Sequence, residues 1–408
     1  MKEKKHITLI GINFYPEDTA IGLYSTQLAE YLVENGFEVS VITGFPYYPQ
    51  WKIADNYRDK PNYLHEKHGK IEIFRYKQYV PGQPGFLKRI IHLLDFTFGN
   101  YFNLKKIKHT DLVFAVVPFT TDVWLGKKLA RKHRAKLWVH IQDFEFDAAI
   151  EAKLSGGNNF IFKLLFKIES YLFNQAGVAS TISHAMIKKL QSKTNGKPQT
   201  YLLPNWVNAD DIDPATAKKH PYLSSNKFKI LYSGNIGQKQ DWDLFLQVVD
   251  KFKDDQNIEF VVVGAGAYKE QLEKQIQKYP HVKMYNPVPF DELSDLLCSA
   301  DLHLLFQKKE VLDTVMPSKI LGMMASEKAS IIAGNPKSEV AEVIEKSQGG
   351  YYFKNDQAEA IIRQIEDLLT HPDKAQTTGK NARKYILEHF SGDKILAGFV
   401  KKLKEVLN

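Results

Sequence analysis

The chain of 408 residues is longer than one hydrophobic core usually organises, so its length predicts two domains. Apolar residues make up 44% and charged residues 25% of the sequence, proportions that are ordinary for a globular protein and do not indicate a disordered chain. The formal net charge of +8 and a pI near 9.0 predict an anionic partner: nucleic acid, an acidic lipid surface or a phosphorylated substrate. Composition alone does not choose among these three.

Several absences in the sequence predict a cytoplasmic protein. The chain passes from a charged start into an apolar run at residues 7–12, without the apolar core and cleavage site of a signal peptide. No segment offers about eighteen consecutive apolar residues, so no membrane-spanning helix is predicted. The single cysteine, Cys298, lies in an apolar helical pattern, which predicts a buried structural thiol.

The first half of the chain alternates short apolar runs with helical patterns, as parallel β-α-β units do. After the first strand, a polar loop at residues 13–22 leads into a helical pattern that stops near Gly36. Residues 44–70 are predicted to be irregular, and their PYYPQW segment at 46–51 is typical of a loop that faces a substrate. The predicted strands of this half lie at 7–12, 38–43, 71–75, 112–117, 136–141, 178–180 and 199–203.

A polar segment with prolines, residues 208–227, indicates a domain boundary. A second series of strands follows, so we expect an α/β fold with two doubly wound parallel sheets and ligand sites beyond the carboxyl ends of their strands. The strands of the second series are predicted at 229–234, 259–263, 282–285, 302–306, 330–333 and 350–353. The predicted domains are residues 1–205 and 206–385, and residues 386–408 are expected to form a helix that crosses back to the first domain.

Residues 301–334 predict an anion site in the second domain. An apolar strand is followed by a loop and by a helical pattern that begins at Pro317, whose missing N–H suits the first turn of a helix. The amides of Ser318 and Lys319 and the Lys319 ammonium would then face a ligand above the sheet. From this stretch alone, an ordinary turn with a solvent-exposed lysine is an equal alternative.

Eight segments carry a more specific signal through their order and spacing: the Gly22 loop, PYYPQW at 46–51, HIQDFEFDA at 140–148, TISHAM at 181–186, LPNWVN at 203–208, LYSGNIGQKQ at 231–240, VVVGAGAY at 261–268 and TVMPSKILGMMAS at 314–326. Together they resemble the GT4 family of retaining sugar-nucleotide glycosyltransferases, which have the two-domain GT-B fold. The resemblance covers essentially the whole chain. It is stronger to the WcaI-like and WbuB-like branch of bacterial polysaccharide biosynthesis.

The resemblance implies a nucleotide-diphosphate sugar as donor, with an acceptor domain before the donor domain. The diphosphate gains negative charge as the glycosidic bond breaks, so its stabilisation is mostly electrostatic. Glycines let the backbone approach such a group closely, and a lysine supplies the opposite charge. The predicted donor-binding residues are Gly22, Gly234, Asn235, Gly237, Lys239, Gln240, Pro317, Ser318 and Lys319.

The sequence departs from the family pattern at four of its positions. Asn235 and Gln240 stand where the family usually has an arginine and a lysine. Thr314 and Gly322 fall at the positions of its two spaced glutamates, so the ribose-binding residue is not assigned. Lys319 is therefore expected to be the main cationic phosphate ligand, with Lys239 as a helper.

The resemblance also implies functional residues after the strand that reads LWVHI in the first domain. Asp143 is the first candidate for contact with the acceptor or donor sugar, and His140 and Gln142 follow. A satisfied core histidine is the alternative for His140. No nucleophile is visible, and neither a metal nor another cofactor is expected.

Two segments, residues 84–109 and 159–173, mix aromatic and aliphatic side chains with lysine and arginine. Basic amphipathic helices of this kind bind anionic lipid surfaces, although core-facing helices with solvated lysines are the alternative. Because acceptors in the resembling family are often glycans on polyprenyl diphosphate, the sequence favours peripheral association with the inner face of a bacterial membrane. Nucleic acid is not a predicted partner, since no recognised binding module is found.

The predicted function is therefore a glycosyltransferase of exopolysaccharide, O-antigen or capsule synthesis, acting on a polyprenyl-diphosphate-linked or growing glycan. Two alternatives remain open at this point. The missing family residues fit a catalytically inactive protein that binds nucleotide sugars or acts as a scaffold. A sugar-nucleotide epimerase of the same fold would need no acceptor.

Overall fold

The computed structural model describes residues 4–18, 20–83, 85–144, 159–311 and 318–408. The chain forms two compact units, one of Met1–Pro204 with Leu396–Asn408 and the other of Asn205–Ile395. Each unit is built on one sheet with helices between its strands. The predicted α/β class with two doubly wound sheets is confirmed.

The first unit contains an eight-stranded sheet. Its strands are β1 (His6–Ile10), β2 (Glu38–Gly44), β3 (Tyr63–His68), β4 (Ile71–Tyr76), β5 (Leu112–Val117), β6 (Lys136–Ile141), β7 (Val178–Thr181) and β8 (Gln199–Leu202). They lie in the order β3-β4-β2-β1-β5-β6-β7-β8. Every residue of β5 is buried, as expected for a central strand of a sheet covered on both faces.

The described helices of the first unit follow its strands in β-α-β order. They are α1 (Ala20–Glu34), α2 (Phe86–Asn103), α3 (Thr120–His133), α4 (Asn159–Phe173) and α5 (His184–Thr194). Local chemistry fixes the start of α5, because the Ser183 hydroxyl oxygen accepts a hydrogen bond from the Met186 N–H.

The predicted irregular stretch at residues 44–70 is partly wrong. It contains β3, which pairs antiparallel to β4, and a short 3₁₀ helix at Asp55–Tyr57. The YLHEKH sequence of β3 forms a sheet edge, so its side chains are half-exposed and largely polar. An edge strand without an apolar face gives little hydrophobic signal.

The second unit has a six-stranded parallel sheet. Its strands are β9 (Phe228–Ser233), β10 (Ile258–Val263), β11 (Val282–Tyr285), β12 (Leu302–Phe306), β13 (Ala329–Ala333) and β14 (Tyr351–Phe353), in the order β11-β10-β9-β12-β13-β14. Its helices are α6 (Trp242–Lys251), α7 (Lys269–Ile276), α8 (Leu293–Cys298), α9 (Ser318–Ala325), α10 (Glu339–Ser347), α11 (Ala358–Thr370) and α12 (Pro372–His389). Cys298 ends α8 and is only half-buried, although burial still raises the pKa of its thiol.

The last helix, α13 (Gly392–Leu407), joins the two units through the chain. Its residues from Leu396 onward belong to the first unit. There, the ring of Phe399 packs edge-on against Phe114 of β5 and Trp138 of β6, with ring centroids 5.5 and 5.1 Å apart. A buried aromatic cluster therefore ties the end of this chain to the first sheet.

Candidate active site

The order of strands in the second sheet identifies where a ligand site should lie. From β9 the chain moves outward through β10 and β11, and from β12 it moves the other way through β13 and β14. The switch point is therefore between β9 and β12, which pair through Ile230 and Leu302. Ligands of open α/β sheets bind beyond the carboxyl ends of the strands at such a point. Gly234 follows β9 there, and Lys319 lies in α9, after β12.

Gly234 and Lys319 meet in direct contact at this switch point. A Cβ atom added to Gly234 would lie 2.3 Å from Lys319 Cε and 2.8 Å from its Nζ. Gly234 also has φ +138°, a conformation that side chains rarely adopt. The glycine is thus required both by its backbone conformation and by the lysine that lies across it.

The Lys319 ammonium is held in place by a tyrosine and a backbone carbonyl. Lys319 Nζ donates to the Tyr232 hydroxyl at 2.8 Å and to the Asn235 carbonyl at 3.4 Å. The same hydroxyl donates to the Asn235 carbonyl at 2.6 Å. Burial raises the pKa of Tyr232, so its hydroxyl stays neutral at physiological pH and can donate. The ammonium also lies 4.8 Å from the centroid of the Tyr232 ring.

Close packing of glycines builds the rest of this site. A Cβ on Gly264, after β10, would lie 1.9 Å from the Gly234 carbonyl oxygen. A Cβ on Gly266 would lie 2.3 Å from the Ile236 carbonyl oxygen, and this glycine has φ +154°. The GAG sequence after β10 therefore serves to let two loops touch, rather than to form a dinucleotide-binding turn.

The loop after β9 has most of its amides paired within the protein. The Gly234 and Ile236 N–H groups donate to the Val263 and Ala265 carbonyls. The Gly237 N–H donates to Gln240 Oε1 at 3.0 Å, and Gln240 is buried. The expectation that these amides cradle a phosphate is therefore not supported at Gly234 and Gly237, where the N–H groups already have acceptors. Through this hydrogen bond to Gly237, Gln240 stabilises the conformation of the loop after β9.

The other donor candidates of the second unit lie around this loop. Asn235 and Lys239 are both exposed. Ser318 is the first residue of α9, and Pro317 lies outside the described residues. Gly322 stands where the family usually has a glutamate. A Cβ atom added to Gly322 would lie 3.1 Å from Leu297 Cδ1, so a side chain at this position would meet α8. The structure thus brings Gly234, Asn235 and Lys319 together, as the sequence predicts.

In the first unit, the catalytic candidates lie at the carboxyl end of β6. Gln142 Nε2 lies 2.9 Å from His140 Nε2, and His140 Nδ1 lies 2.9 Å from Ser180 Oγ. An amide nitrogen only donates, so the ring proton lies on Nδ1 and is donated to the serine. Burial lowers the pKa of His140 to about 3. A neutral histidine with both nitrogens bonded favours the alternative of a core histidine. Asp143, next along the chain, is exposed.

Glu17 is a buried acid that the sequence did not single out. It lies after β1, at the switch point of the first sheet between β1 and β5. Glu17 Oε1 accepts the N–H groups of Tyr47 and Tyr48, both at 2.8 Å, and Oε2 accepts Asn13 Nδ2 at 2.8 Å. Burial raises the pKa of Glu17, while these hydrogen bonds act in the opposite direction. A lone acid in a polar loop gives no periodic signal by which sequence reasoning could find it.

The close approach of Glu17 requires a glycine at position 22. A Cβ on Gly22 would lie 2.7 Å from Glu17 Cβ and 2.9 Å from the Glu17 carbonyl oxygen. The glycine therefore lets the loop after β1 fold back onto α1. It belongs to the first unit, and its predicted contact with a donor diphosphate stays a prediction.

The carboxylates of two Asp-x-Asp sequences stabilise local turns. Asp241 caps α6 by accepting the Leu244 N–H at 3.1 Å, and Asp213 accepts the Ala215 N–H at 3.1 Å. Within the described residues, no group of three or more His, Cys, Asp or Glu side chains is close enough to hold a metal ion.

None of the described helices is long and apolar enough to cross a membrane.

Solved structures share this fold. Sucrose-phosphate synthase from Thermosynechococcus elongatus superposes with a TM-score of 0.74 at 15% identity, covering 99% of both chains. HepE from Anabaena, solved in complex with UDP-glucose, superposes with a TM-score of 0.67 at 13% identity, covering 98% of this chain and 99% of its own. These likenesses confirm the GT-B fold.

Sequence relatives identify the family. The profile of the family "Glycosyl transferases group 1" matches residues 215–385, which include the Gly234 and Lys319 site. The colanic acid biosynthesis glycosyl transferase WcaI of Escherichia coli K12 is 31% identical over 411 aligned residues, 98% of this chain and 99% of the relative. The chain therefore belongs to the group 1 glycosyltransferases and is an enzyme of that family.

Proposed function

We propose that this glycosyltransferase moves a sugar, with retention, from a nucleotide-diphosphate sugar to a lipid-linked or growing glycan. The observation that carries the proposal is the Lys319 ammonium, positioned by Tyr232 across the bare backbone of Gly234. A cation beside such a backbone suits the diphosphate leaving group, whose charge grows in the transition state. The UDP-glucose complex of HepE supports this class of donor, and WcaI supports a role in bacterial exopolysaccharide, O-antigen or capsule synthesis.

The proposed chemistry assigns distinct roles to the two units. Lys319 stabilises the departing diphosphate, and the glycines after β9 and β10 give it close access to the backbone. Asp143, exposed at the end of β6, contacts the sugar that is transferred or extended. No side-chain nucleophile is proposed. The departing phosphate itself accepts the proton of the attacking hydroxyl.

The site of action that we propose is the inner face of the bacterial membrane. Apolar side chains are exposed on α2 and α4, and Leu87 is 73% exposed. Helix α3 links them, since Trp124 stacks on Tyr101 of α2 and Lys127 bonds to Tyr171 of α4 at 2.8 Å. We call this surface the α2–α4 face; its exposed apolar residues are Leu87, Ile91, Leu94, Phe98, Tyr101, Phe102, Leu164, Ile168 and Tyr171.

The donor site is tested by thermal unfolding with UDP, GDP, ADP and CMP in turn. A nucleotide at a hundred times its Kd adds about 2.7 kcal/mol to the state that binds it, enough to raise Tm by several degrees. We expect one nucleoside diphosphate to raise Tm. The Lys319→Ala variant should lose that shift, and its transfer activity should fall at least tenfold, which corresponds to about 1.4 kcal/mol. The control is Lys380→Ala, an exposed lysine of α12. An unchanged shift in Lys319→Ala would contradict the assignment.

The membrane site is tested by sedimentation with phosphatidylglycerol vesicles. Replacing Leu87 and Phe98 by glutamate adds charge to the α2 part of the α2–α4 face. Both side chains are already exposed, so Tm should not change. We expect vesicle binding to fall at least tenfold. The matched control places glutamate at Lys346, on α10 of the second unit. Full binding by the double variant would exclude this face.

A further inference from the structure

A cavity of about 500 Å³ lies in the first unit, beside the beginning of α2. Its wall combines an indole ring, aliphatic side chains, polar and basic side chains and a glycine. The residues that form it include Gln50, Trp51, Lys52, Arg58, Val80 and Gly82. Neither the donor site at Lys319 nor the candidates at the end of β6 contribute to it. The cavity is therefore a separate feature of the molecule.

The charges around the cavity favour an anionic occupant. Lys52 Nζ lies 3.0 Å from Asp55 Oδ1, and Arg58 pairs with the same carboxylate. A third cation, Arg89 of α2, lies over the Trp51 ring, with its guanidinium carbon 5.3 Å from the ring centroid. Two of these three cations share one carboxylate, so the rim carries excess positive charge. Guanidinium and ammonium groups together are the usual ligands of phosphate groups.

The aromatic wall of the cavity is fixed by its neighbours. The Trp51 ring packs edge-on against Tyr47 at 5.4 Å and lies 5.6 Å from the His92 ring. The N–H of Tyr47 is in turn held by the buried Glu17 carboxylate. Trp51 also has a backbone φ of +52°, which is uncommon for a bulky side chain. The surrounding contacts thus hold the indole in one place.

An apolar surface begins at the rim of the same cavity. Arg89 lies in the first turns of α2 and stacks on Trp51, so the start of this helix adjoins the cavity. Leu87, Ile91, Leu94 and Phe98 of α2 are exposed and recur every three or four residues, which places them along one side of the helix. A cationic cavity therefore continues directly into an apolar strip.

We infer that this cavity binds the diphosphate of the lipid-linked acceptor, with the hydrocarbon chain lying along α2. This inference rests on the proposed function, which supplies an acceptor of that class. The occupant is a single amphiphile that carries a diphosphate, because a cavity with several cations fits one multiply charged group. The headgroups of a bilayer are singly charged and lie in a plane, and they match the wider α2–α4 face instead.

The inference is tested with farnesyl diphosphate, a soluble amphiphile, and the full chain. Calorimetry and tryptophan fluorescence measure binding, and Trp51→Phe identifies the signal of the indole in the cavity. We expect one farnesyl diphosphate to bind per chain, at least tenfold tighter than inorganic diphosphate or farnesol. Replacing both Lys52 and Arg58 by alanine should weaken binding at least tenfold. Both side chains are more than half exposed, so Tm should be unchanged.

Controls separate this inference from the proposed donor site. Lys70→Ala removes an exposed cation from the turn after β3 and should leave farnesyl diphosphate binding intact. Lys319→Ala should bind farnesyl diphosphate normally, and the Lys52 and Arg58 double variant should keep the Tm shift with nucleotide. Equal affinity for inorganic diphosphate, or an unchanged affinity in the double variant, would overturn the inference. Equally tight binding of a soluble short-chain phosphatidylglycerol would overturn it as well, since a single negative charge would then suffice.

Discussion

At the scale of single residues, the buried Glu17 shows two opposing effects on one carboxylate. Removing a charge from water costs several kcal/mol, whereas each hydrogen bond to a charged group returns about 1.5–3 kcal/mol. The raised pKa of Glu17 indicates that burial outweighs its three hydrogen bonds, of which two come from the Tyr47 and Tyr48 amides. The acid thus fixes the aromatic loop at some cost to stability.

Two substitutions at Glu17 separate these effects. Glu17→Ala leaves three donors without an acceptor, two of them in fully buried hydrogen bonds, and each buried donor costs about 1–3 kcal/mol, so Tm should fall sharply. In Glu17→Gln, the amide oxygen keeps both backbone N–H groups, and a flipped Asn13 amide can accept from the new amide nitrogen. We expect Glu17→Gln to retain the fold. Asp18→Ala, an exposed neighbour, is the control.

The sign of the pH dependence follows from the raised pKa. In the native protein the Glu17 carboxyl group binds its proton more tightly than in the unfolded chain, where its pKa is near 4.5. Stability contributed by this group is therefore present at low pH and lost as pH rises from 4.5 through the native value. Urea unfolding at pH 4.5 and 7.5 should show the wild type losing stability relative to Glu17→Gln as pH rises. A constant difference would refute the raised pKa.

The sequence predicts the site best where the residue type itself carries the chemistry. Lys319 and Gly234 could be found because a cation at a helix start and a glycine after a strand are visible in the sequence. Tyr232 could not, since it reads as one more strand residue, and only the fold brings its hydroxyl to Lys319. Gln240 was expected at a ligand but accepts a loop N–H instead, because a glutamine serves either role equally well.

At the scale of elements, apolar strands were predicted well and the polar edge strand was not. The bounds predicted for β5, β6, β11 and β12 agree with the structure. β5, β6 and β12 are almost wholly buried and largely apolar, which makes them visible in the sequence, whereas β11 is only partly buried. β3 was missed because its side chains are half solvated. The contact between the loops after β9 and β10 was also beyond prediction, since it depends on two glycines from different strands.

That loop contact gives a testable substitution. Gly264→Ala would place a methyl group 1.9 Å from the Gly234 carbonyl oxygen, so the two loops must separate. Overpacking of this kind costs about 1–3 kcal/mol. We expect a lower Tm and loss of the Tm shift with nucleoside diphosphate. Gly82→Ala, where a methyl group would meet no atom within 4 Å, is the control and should change neither measurement.

At the scale of the whole molecule, each unit buries one neutral histidine in its sheet. His140 in β6 bonds to Ser180, and His303 in β12 bonds to Ser326 at 3.0 Å. Burial lowers the pKa of both to about 3. Below pH 6.5 the unfolded chain gains protons on these histidines that the folded protein does not bind. Each unit therefore loses up to about 1.4 kcal/mol of stability per pH unit as pH falls from 6.5 towards 3.

A glutamine substitution tests this acid sensitivity. His303→Gln keeps a hydrogen-bonding group near Ser326 but cannot be protonated, so it should flatten the fall in stability of the second unit between pH 7 and pH 5. Denaturant unfolding at the two pH values measures the difference. His184→Gln, which changes an exposed histidine of α5, should leave the slope unchanged. An equally steep fall in His303→Gln would mean that other groups cause it.

The return of residues 396–408 to the first unit has a consequence for biosynthesis. Phe399 packs against Phe114 and Trp138, yet it is made only after residues 205–395 have been synthesised. At typical rates of translation this delay is roughly 10 to 40 seconds. Throughout that interval the nascent first unit lacks part of its core, and the last residue of the second unit is added before Phe399 is. The half of the protein that is made first is thus the last to be completed, and its uncovered aromatic rings are a natural target for chaperones.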